Sequence, residues 1–294
     1  PLLIERGDDA HRRTDTISVF LGGGALDPES NIQFGLGGAG TFSDGKLNTG
    51  TKNPSHRLIL KTFVDAGAPR DILWDAKPHV GSDILPAVVT NIAARIEKLG
   101  GSVRYRTKLV DIDLDRAGAV SGIRVTSAQP GAGGTSQELI RCNRLILACG
   151  HSAHDVFELI KRREIELARK TFAMGVRIEH LQRDIDRAQY GQAAGRPELG
   201  AAPYKLVAHL ENGRSVFSFC MCPGGEVVAA ASEPEHLCVN GASLNARAGR
   251  NANAALLVNV TPDDLPGTDP LAGIALQRSC EHEAWILGGR SWKA

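Results

Sequence analysis

Phe34-Gly35-Leu36-Gly37-Gly38-Ala39-Gly40-Thr41-Phe42-Ser43-Asp44-Gly45-Lys46 contains the spacing G-x-G-x-x-G, which in a nucleotide-binding βαβ unit follows a buried strand and opens a helix. Neither flank fits that context. Glu29-Ser30-Asn31 leaves room for only a very short extended run, and Thr41 to Gly50 is a turn sequence with Ser-Asp-Gly and Asn-Thr-Gly. The glycines therefore serve a loop, where the missing Cβ atoms allow close backbone approach, and not a helix start facing a pyrophosphate.

Upstream, Pro1-Leu2-Leu3-Ile4-Glu5-Arg6-Gly7 reads as a short, fully buried strand ending in an acid. The second strand of a nucleotide-binding βαβ unit looks like this where its carboxylate takes the ribose hydroxyls. Such a strand needs a predecessor, and the sequence opens on Pro with no Gly-rich turn before it. The expectation is a segment that starts inside a domain.

The 294 residues are 42% hydrophobic, enough for a large core in one large or two ordinary domains. A net charge of +1 with no basic block gives no reason to expect nucleic acid. No run approaches the roughly 18 apolar residues that cross a bilayer, and the start lacks a signal-peptide arrangement, so a cytoplasmic protein without integral membrane association is expected. Six cysteines thinly spread through the chain read as reduced thiols.

Along the chain, a short helix is expected around Asp9 to Ser18, followed by glycine-rich loop sequence. Asn53-Pro54 caps a second helix ending at Gly67, and Ser82-Asp83 can cap a third that carries Pro86 in its first turn and stops at Gly100-Gly101. The period then changes to two. Val103–Thr107, Leu109–Leu114, Val120–Val125 and Gln137–Arg141 read as a strand and a meander, the last two separated by the loose Gln129 to Gly134 loop. Leu145–Ala148 reads as another buried strand, turned by Cys149-Gly150-His151 into a helix with a capping box formed by Ser152 and Asp155. Past Lys170, Phe172–Glu179, Tyr204–Leu210, Ser215–Met221, Glu226–Ala231 and Ala254–Val260 read as an antiparallel sheet, before a final helix over Pro270–Leu287.

Six motifs in this order resemble a bacterial family of FAD-dependent dehydrogenases, related in fold to glutathione-reductase-type flavoproteins and geranylgeranyl reductase. They are Glu5-Arg6-Gly7, Gly38 to Lys46, Lys77-Pro78-His79-Val80-Gly81, Cys149-Gly150-His151-Ser152-Ala153, Gly175 to His180, and Cys220-Met221-Cys222-Pro223-Gly224-Gly225. The resemblance implies a three-layer FAD-binding α/β domain over residues 1–164, lacking its first βα unit. It also implies an inserted, mainly antiparallel α+β substrate domain over residues 165–294, without the segment that closes over the flavin. The implied activity is hydride transfer between an organic substrate and FAD, with a diffusible electron donor as a further candidate partner; this segment alone is expected to be inactive.

The same resemblance implies FAD contacts for Glu5 and Arg6, for Gly38, Gly40, Thr41, Phe42, Ser43, Asp44, Gly45 and Lys46, for Leu109 and Val110 beside adenine, and for Ala148, Cys149, Gly150 and His151 near the nucleotide. Lys46 is a candidate to place positive charge near the flavin. Each has a plain structural counterpart: a solvated charge, a surface loop, a core strand, a turn.

Cys220-x-Cys222 is a candidate redox or nucleophilic pair, although a redox dithiol normally has two intervening residues at a helix start; the alternatives are buried small hydrophobes or substrate-pocket lining. A zinc site from Cys220, Cys222, His236 and Cys238 has unfamiliar spacing, and no metal is expected. His79, His151, His180 and Arg177 are further polar candidates. The competing functions are a flavin-binding scaffold or sensor and an RNA-modifying flavoprotein; near-neutral charge argues against the latter.

Overall fold

The computed structural model describes residues 1–47, 53–128 and 135–292. The expected turn at Asn48-Thr49-Gly50 and the Gln129 to Gly134 loop lie outside the described residues.

Strand β1 (Leu2–Ile4) leads into α1 (Ala10–Leu21), whose first turn is capped by Asp9 accepting from the amides of His11 and Arg12. Ala10, Arg13, Ile17 and Phe20 recur at helical spacing and form its buried face. Helix α2 (Ser55–Asp65) is shorter than expected: Pro54 itself takes the N-cap position without a side-chain cap, Asn53 Oδ1 accepts from the Ser55 amide at 2.9 Å in the turn before it, and the helix ends at Asp65. Helix α3 (Leu85–Lys98) carries Pro86 in its first turn and delivers the chain to β2 (Ser102–Arg104), which pairs with β1 in parallel.

Antiparallel strands β3 (Thr107–Leu114), β4 (Val120–Ala128) and β5 (Thr135–Arg141) form the meander. Helix α4 (His154–Arg162) follows. The second half places β6 (Phe172–Leu181), helix α5 (Gln182–Tyr190), β7 (Val207–His209), β8 (Ser215–Cys222), β9 (Gly225–Ala229), β10 (Val239–Ser243), β11 (Asn251–Val260) and helix α6 (Ala272–Leu287) in order. The antiparallel sheet is ordered β6-β11-β8-β7, and β9 pairs with β10 separately. The described residues thus form a mixed α/β structure with four sheets.

Several sequence expectations are corrected. β1 is not fully buried: Leu2 and Leu3 are 38% and 39% exposed, because the strand has a ladder only to β2 among the described residues. Leu145–Ala148 forms no strand, and Ile146 is 90% exposed; apolar residues without a neighbouring backbone to bond do not make a ladder. The run Val103–Thr107 breaks at Arg106, which turns at φ +48° so that its side chain reaches Asp8 and Asp27.

Neither proposed side-chain cap forms. Ser82 donates to the Ser243 carbonyl and Asp83 accepts from the Asn245 amide. Ser152 bonds His151 Nδ1, and Asp155 is drawn into ion pairs. The strand expected at Tyr204–Leu210 shrinks to Val207–His209.

The core is a set of small clusters. One lies between α2 and α3 (Ala66, Ile72, Val80, Leu85, Val88). Two others join the halves of the chain through α1: Ile17 packs with Ile32, Val228 and Ala230, while Phe20 packs with Ala229 and Ala231.

Candidate functional site

The glycine-rich loop is built around two side chains, Glu5 after β1 and Arg13 in α1. Glu5 Oε1 at the end of β1 accepts from the amides of Gly7 (2.9 Å) and Gly35 (3.0 Å). A Cβ on Gly7 would stand 2.7 Å from the Gly35 backbone, so this approach requires glycine. Beneath the loop, Arg13 is fully buried and donates to the carbonyls of Asn31 (2.8 Å), Ile32 (2.9 Å), Gly35 (3.3 Å), Leu36 (2.8 Å) and Gly38 (2.8 Å). Its guanidinium also lies 4.8 Å from the Phe42 ring centroid. Burial pulls its pKa down to about 10, with the Glu5 charge opposing the fall, so the group remains a cation at neutral pH.

The loop then presents two different surfaces. A Cβ on Gly38 or Gly40 would meet nothing within 4 Å, so this side is open. Thr41 and Asp44, 1% and 2% exposed, point inward. Thr41 Oγ1 donates to the Leu36 carbonyl, and Ser43 Oγ donates to Gly40 O and accepts from the Gly45 amide.

Beside Glu5 stands a ring of alternating charge. Arg6 donates to Glu29 (2.7 Å) and Asp155 (3.0 Å), and Lys108 reaches the other oxygen of each at 2.8 Å. Burial raises the cost of ionising Glu29 and Asp155, but Arg6 and Lys108 outweigh it and hold both below the usual carboxylate range. Arg6 also stacks 4.1 Å from the Phe34 ring centroid. Around Phe34 gather Leu109, Cys149, Ala153, Val156 and Ile160. Burial pushes the Cys149 thiol up. Arg6, Leu109 and Cys149 thus border one cluster at Phe34, while Glu5 contacts the loop at Gly35. Val110 accepts from Arg162 through its carbonyl; Ala148, Gly150 and His151 lie on the exposed turn before α4, with Gly150 at φ +72° and open space where a Cβ would stand.

The far end of the loop is locked to the second half of the chain. Asp44 accepts from Ser243 Oγ and from both Arg247 Nε (3.0 Å) and Nη2 (2.5 Å), and pairs with Lys46 at 2.9 Å. Burial opposes its charge, yet Arg247, Lys46 and Ser243 together hold its pKa below the ordinary value. The Lys77–Gly81 motif is the backbone partner of this segment: Val80 N donates to Gly45 O, Gly81 N to Asp44 O, and Leu47 N to Pro78 O. His79 Nε2 bonds the Asn245 carbonyl at 2.9 Å.

Gly81 sits at φ +93°, where a Cβ would collide with the Asn245 backbone. Gly81→Ala is expected to cost about 2–4 kcal/mol, combining left-handed strain with overpacking. Urea unfolding measures this, and an unchanged midpoint would mean that the loops separate freely.

Lys46 Nζ reaches Cys222 Sγ at 3.6 Å. Cys222 is 2% exposed; burial pushes its thiol up while Lys46 pulls the other way, and the net direction is up. It is held as a thiol and not poised as a thiolate nucleophile. Cys220 is exposed at φ +44°, and its carbonyl accepts from Cys222 Sγ and from Arg177 Nη1. The zinc reading is not assembled: no group of three or more side chains able to hold a metal comes together among the described residues, and His236 bonds the Pro234 carbonyl.

Arg13, Glu29, Lys108, Ser243 and Arg247 were not among the residues singled out from sequence. A cleft of about 530 Å³ between α4 and α6, lined in part by Glu158, Lys161, Arg162 and Arg278, is separate from all of them. No helix among the described residues is long and apolar enough to cross a membrane.

With this geometry in place, the relatives are informative. The chain is 45% identical over 295 residues to an uncharacterized protein of Clostridium beijerinckii, an alignment covering 100% of this chain and 53% of that protein. The chain thus spans about half the length of that relative. Residues 171–294 match the family described as "FAD-dependent protein, C-terminal domain-like". From the first residues of β6 onward the chain is therefore similar to a FAD-dependent family, which supports a flavin-related protein.

Proposed function

We propose that this chain is part of a FAD-dependent oxidoreductase that moves a hydride between an organic substrate and the flavin. The proposed division keeps residues 1–164 as the nucleotide-binding part, of three-layer type, and residues 165–294 as the substrate part. The observation that carries the reading is the seam between them, where the glycine-rich loop and the Cys220–Gly225 segment meet through Lys46 and Cys222.

The residues present fit an extended dinucleotide. Glu5 commits only Oε1 to the loop amides, leaving Oε2 without a bond among the described residues for a ribose hydroxyl. Gly38, Gly40 and Gly150 leave space where a side chain would otherwise stand. The flavin, when bound, supplies the two-electron chemistry. The chain's own residues bind and orient: Arg13 fixes the loop carbonyls, and the Asp44 cluster anchors Lys46 at the seam. The substrate side is proposed around Gly175–His180 and Cys220–Gly225.

The test is the visible absorbance of the full-length natural protein, followed by anaerobic addition of NADH or NADPH. Flavin bands that bleach support an oxidoreductase. Bands that persist with every donor and substrate tried would make it a flavin-binding scaffold, and a colourless protein that takes up no added FAD would end the reading. Glu5→Gln is expected to weaken FAD binding about tenfold, about 1.4 kcal/mol. An unchanged dissociation constant by flavin fluorescence quenching would remove Glu5 from the site.

A further inference from the structure

Arg177 stands apart from the other cations of the seam. Lys46 and Arg247 both pair with Asp44. Arg177 on β6 has no carboxylate within ion-pair distance among the described residues; its bonds are from Nη1, to the Cys220 carbonyl at 3.3 Å and to Asn253 Oδ1 at 2.5 Å. Its Nε and Nη2 donors are uncommitted among the described residues, on a partly exposed side chain. Glu179, two residues along the same face, spends its oxygens on the Val227 amide (2.8 Å) and on Asn251 Nδ2 (2.6 Å). The three cations Lys46, Arg177 and Arg247 outnumber the two carboxylates Asp44 and Glu179 here, which leaves the seam net positive.

The anchoring of this guanidinium is unusually complete. Asn253 on β11 is fully buried, and its Nδ2 has no partner among the described residues although its Oδ1 is bonded to Arg177. Gly241 on β10 closes the arrangement: a Cβ there would run into Asn253 Oδ1, Arg177 Nη1 and Cys222 Sγ together. One guanidinium nitrogen is fixed from two sides, so the remaining edge is pre-aimed without further loss of side-chain freedom. Two coplanar N–H donors match a carboxylate or a phosphate, and the exposed apolar ring of Phe219 on the same face favours an organic carboxylate.

The register supplies the other half of the ligand. Ala255 pairs directly with Arg177 on one side and with Phe219 on the other, so all three share a sheet face. Phe219 is 56% exposed, an apolar ring beyond the small Ala255 and about 10 Å from Arg177 across two strand spacings.

We propose that Arg177 and Phe219, on either side of the buried Ala255, form a binding site for an organic carboxylate, with the acid on the guanidinium edge and an apolar body against the exposed Phe219 ring. That this acid is the substrate rests on the oxidoreductase reading; that the site binds it does not.

The test uses the full chain without added flavin and follows modification of Arg177 by phenylglyoxal, read by peptide mass, in the presence of benzoate, its neutral isostere benzamide, or inorganic phosphate. Arg177 is expected to react, and benzoate to slow the reaction about tenfold while benzamide and phosphate do not. In calorimetry, Arg177→Lys, which keeps the charge and loses the fork, is expected to bind benzoate at least about tenfold more weakly. An unreactive Arg177, no protection, or equal protection by benzamide would overturn the proposal, and protection by phosphate as strong as by benzoate would overturn the carboxylate class. A protein that protects Arg177 with benzoate yet takes up no FAD would sink the flavin reading and leave this site standing.

Discussion

Replacing Arg13 by Met is expected to lower the unfolding free energy by about 3–5 kcal/mol, one of the two largest effects a single substitution should have here. Volume is not the reason, since Met fills much of the space. Arg13 is fully buried and satisfies the carbonyls of five loop residues, Asn31, Ile32, Gly35, Leu36 and Gly38, with one planar group. Among the described residues it has no salt bridge; the loop carbonyls, the Phe42 ring and the more distant charge of Glu5 offset its desolvation. Removing the donors leaves several buried acceptors bare at about 1–3 kcal/mol each, reduced where the loop can open to water. Arg13→Lys is expected to recover less than half, because one ammonium cannot span carbonyls on both sides of the loop. Urea unfolding of the full chain measures both, and limited proteolysis within residues 31–45 reports the loop. A Met variant with a wild-type midpoint would show that the loop holds its shape by other means.

Asp44→Asn carries the second large effect, also about 3–5 kcal/mol, because it leaves Arg247 and Lys46 beside a neutral amide in a nearly dry position. This prediction has an acid signature. The folded carboxyl titrates below its ordinary value, so its stabilisation is present above the unfolded pKa, about 3.9, and is lost as pH falls through the lower folded value. Glu29 and Asp155 shift in the same direction through Arg6 and Lys108, so the variant keeps part of the acid sensitivity. Thermal unfolding between about pH 5 and pH 2 is expected to show a shallower loss for the Asp44→Asn variant than for the wild type. Parallel curves would place the titration elsewhere.

The elements with strong periodicity were legible in the sequence: α2, α3, the meander and the ladder of β6, β8 and β11 carry their faces at regular spacing. Helix α5 was not, because its hold is polar. Gln182 bonds Asp186, the Ala202 carbonyl and the Gly224 amide, and nothing in the pattern of residues 182–190 announces this. β10 escaped notice for a similar reason, since Val239-Asn240-Gly241-Ala242-Ser243 has no alternation.

The candidate site divides in the same way. The glycine-rich loop and Lys77–Gly81 were recognisable as motifs, and the structure makes them backbone partners. Arg247 lies 203 residues from Asp44, and Ser243 lies 199. No local spacing connects side chains so far apart. Arg13 was hidden in a stretch that reads as an ordinary amphipathic helix, where a lone arginine on the buried side resembles a solvated charge until its surroundings are known.

Helix α1 lays its Arg13 under the loop and its Ile17 and Phe20 against the β9 to β10 region. One helix thus touches both sides of the seam, and a clamshell motion of one half against the other would have to break those contacts. On the proposed reading, a ligand bound at the seam would meet surfaces already braced against each other, and less of its binding energy would go into bringing them together.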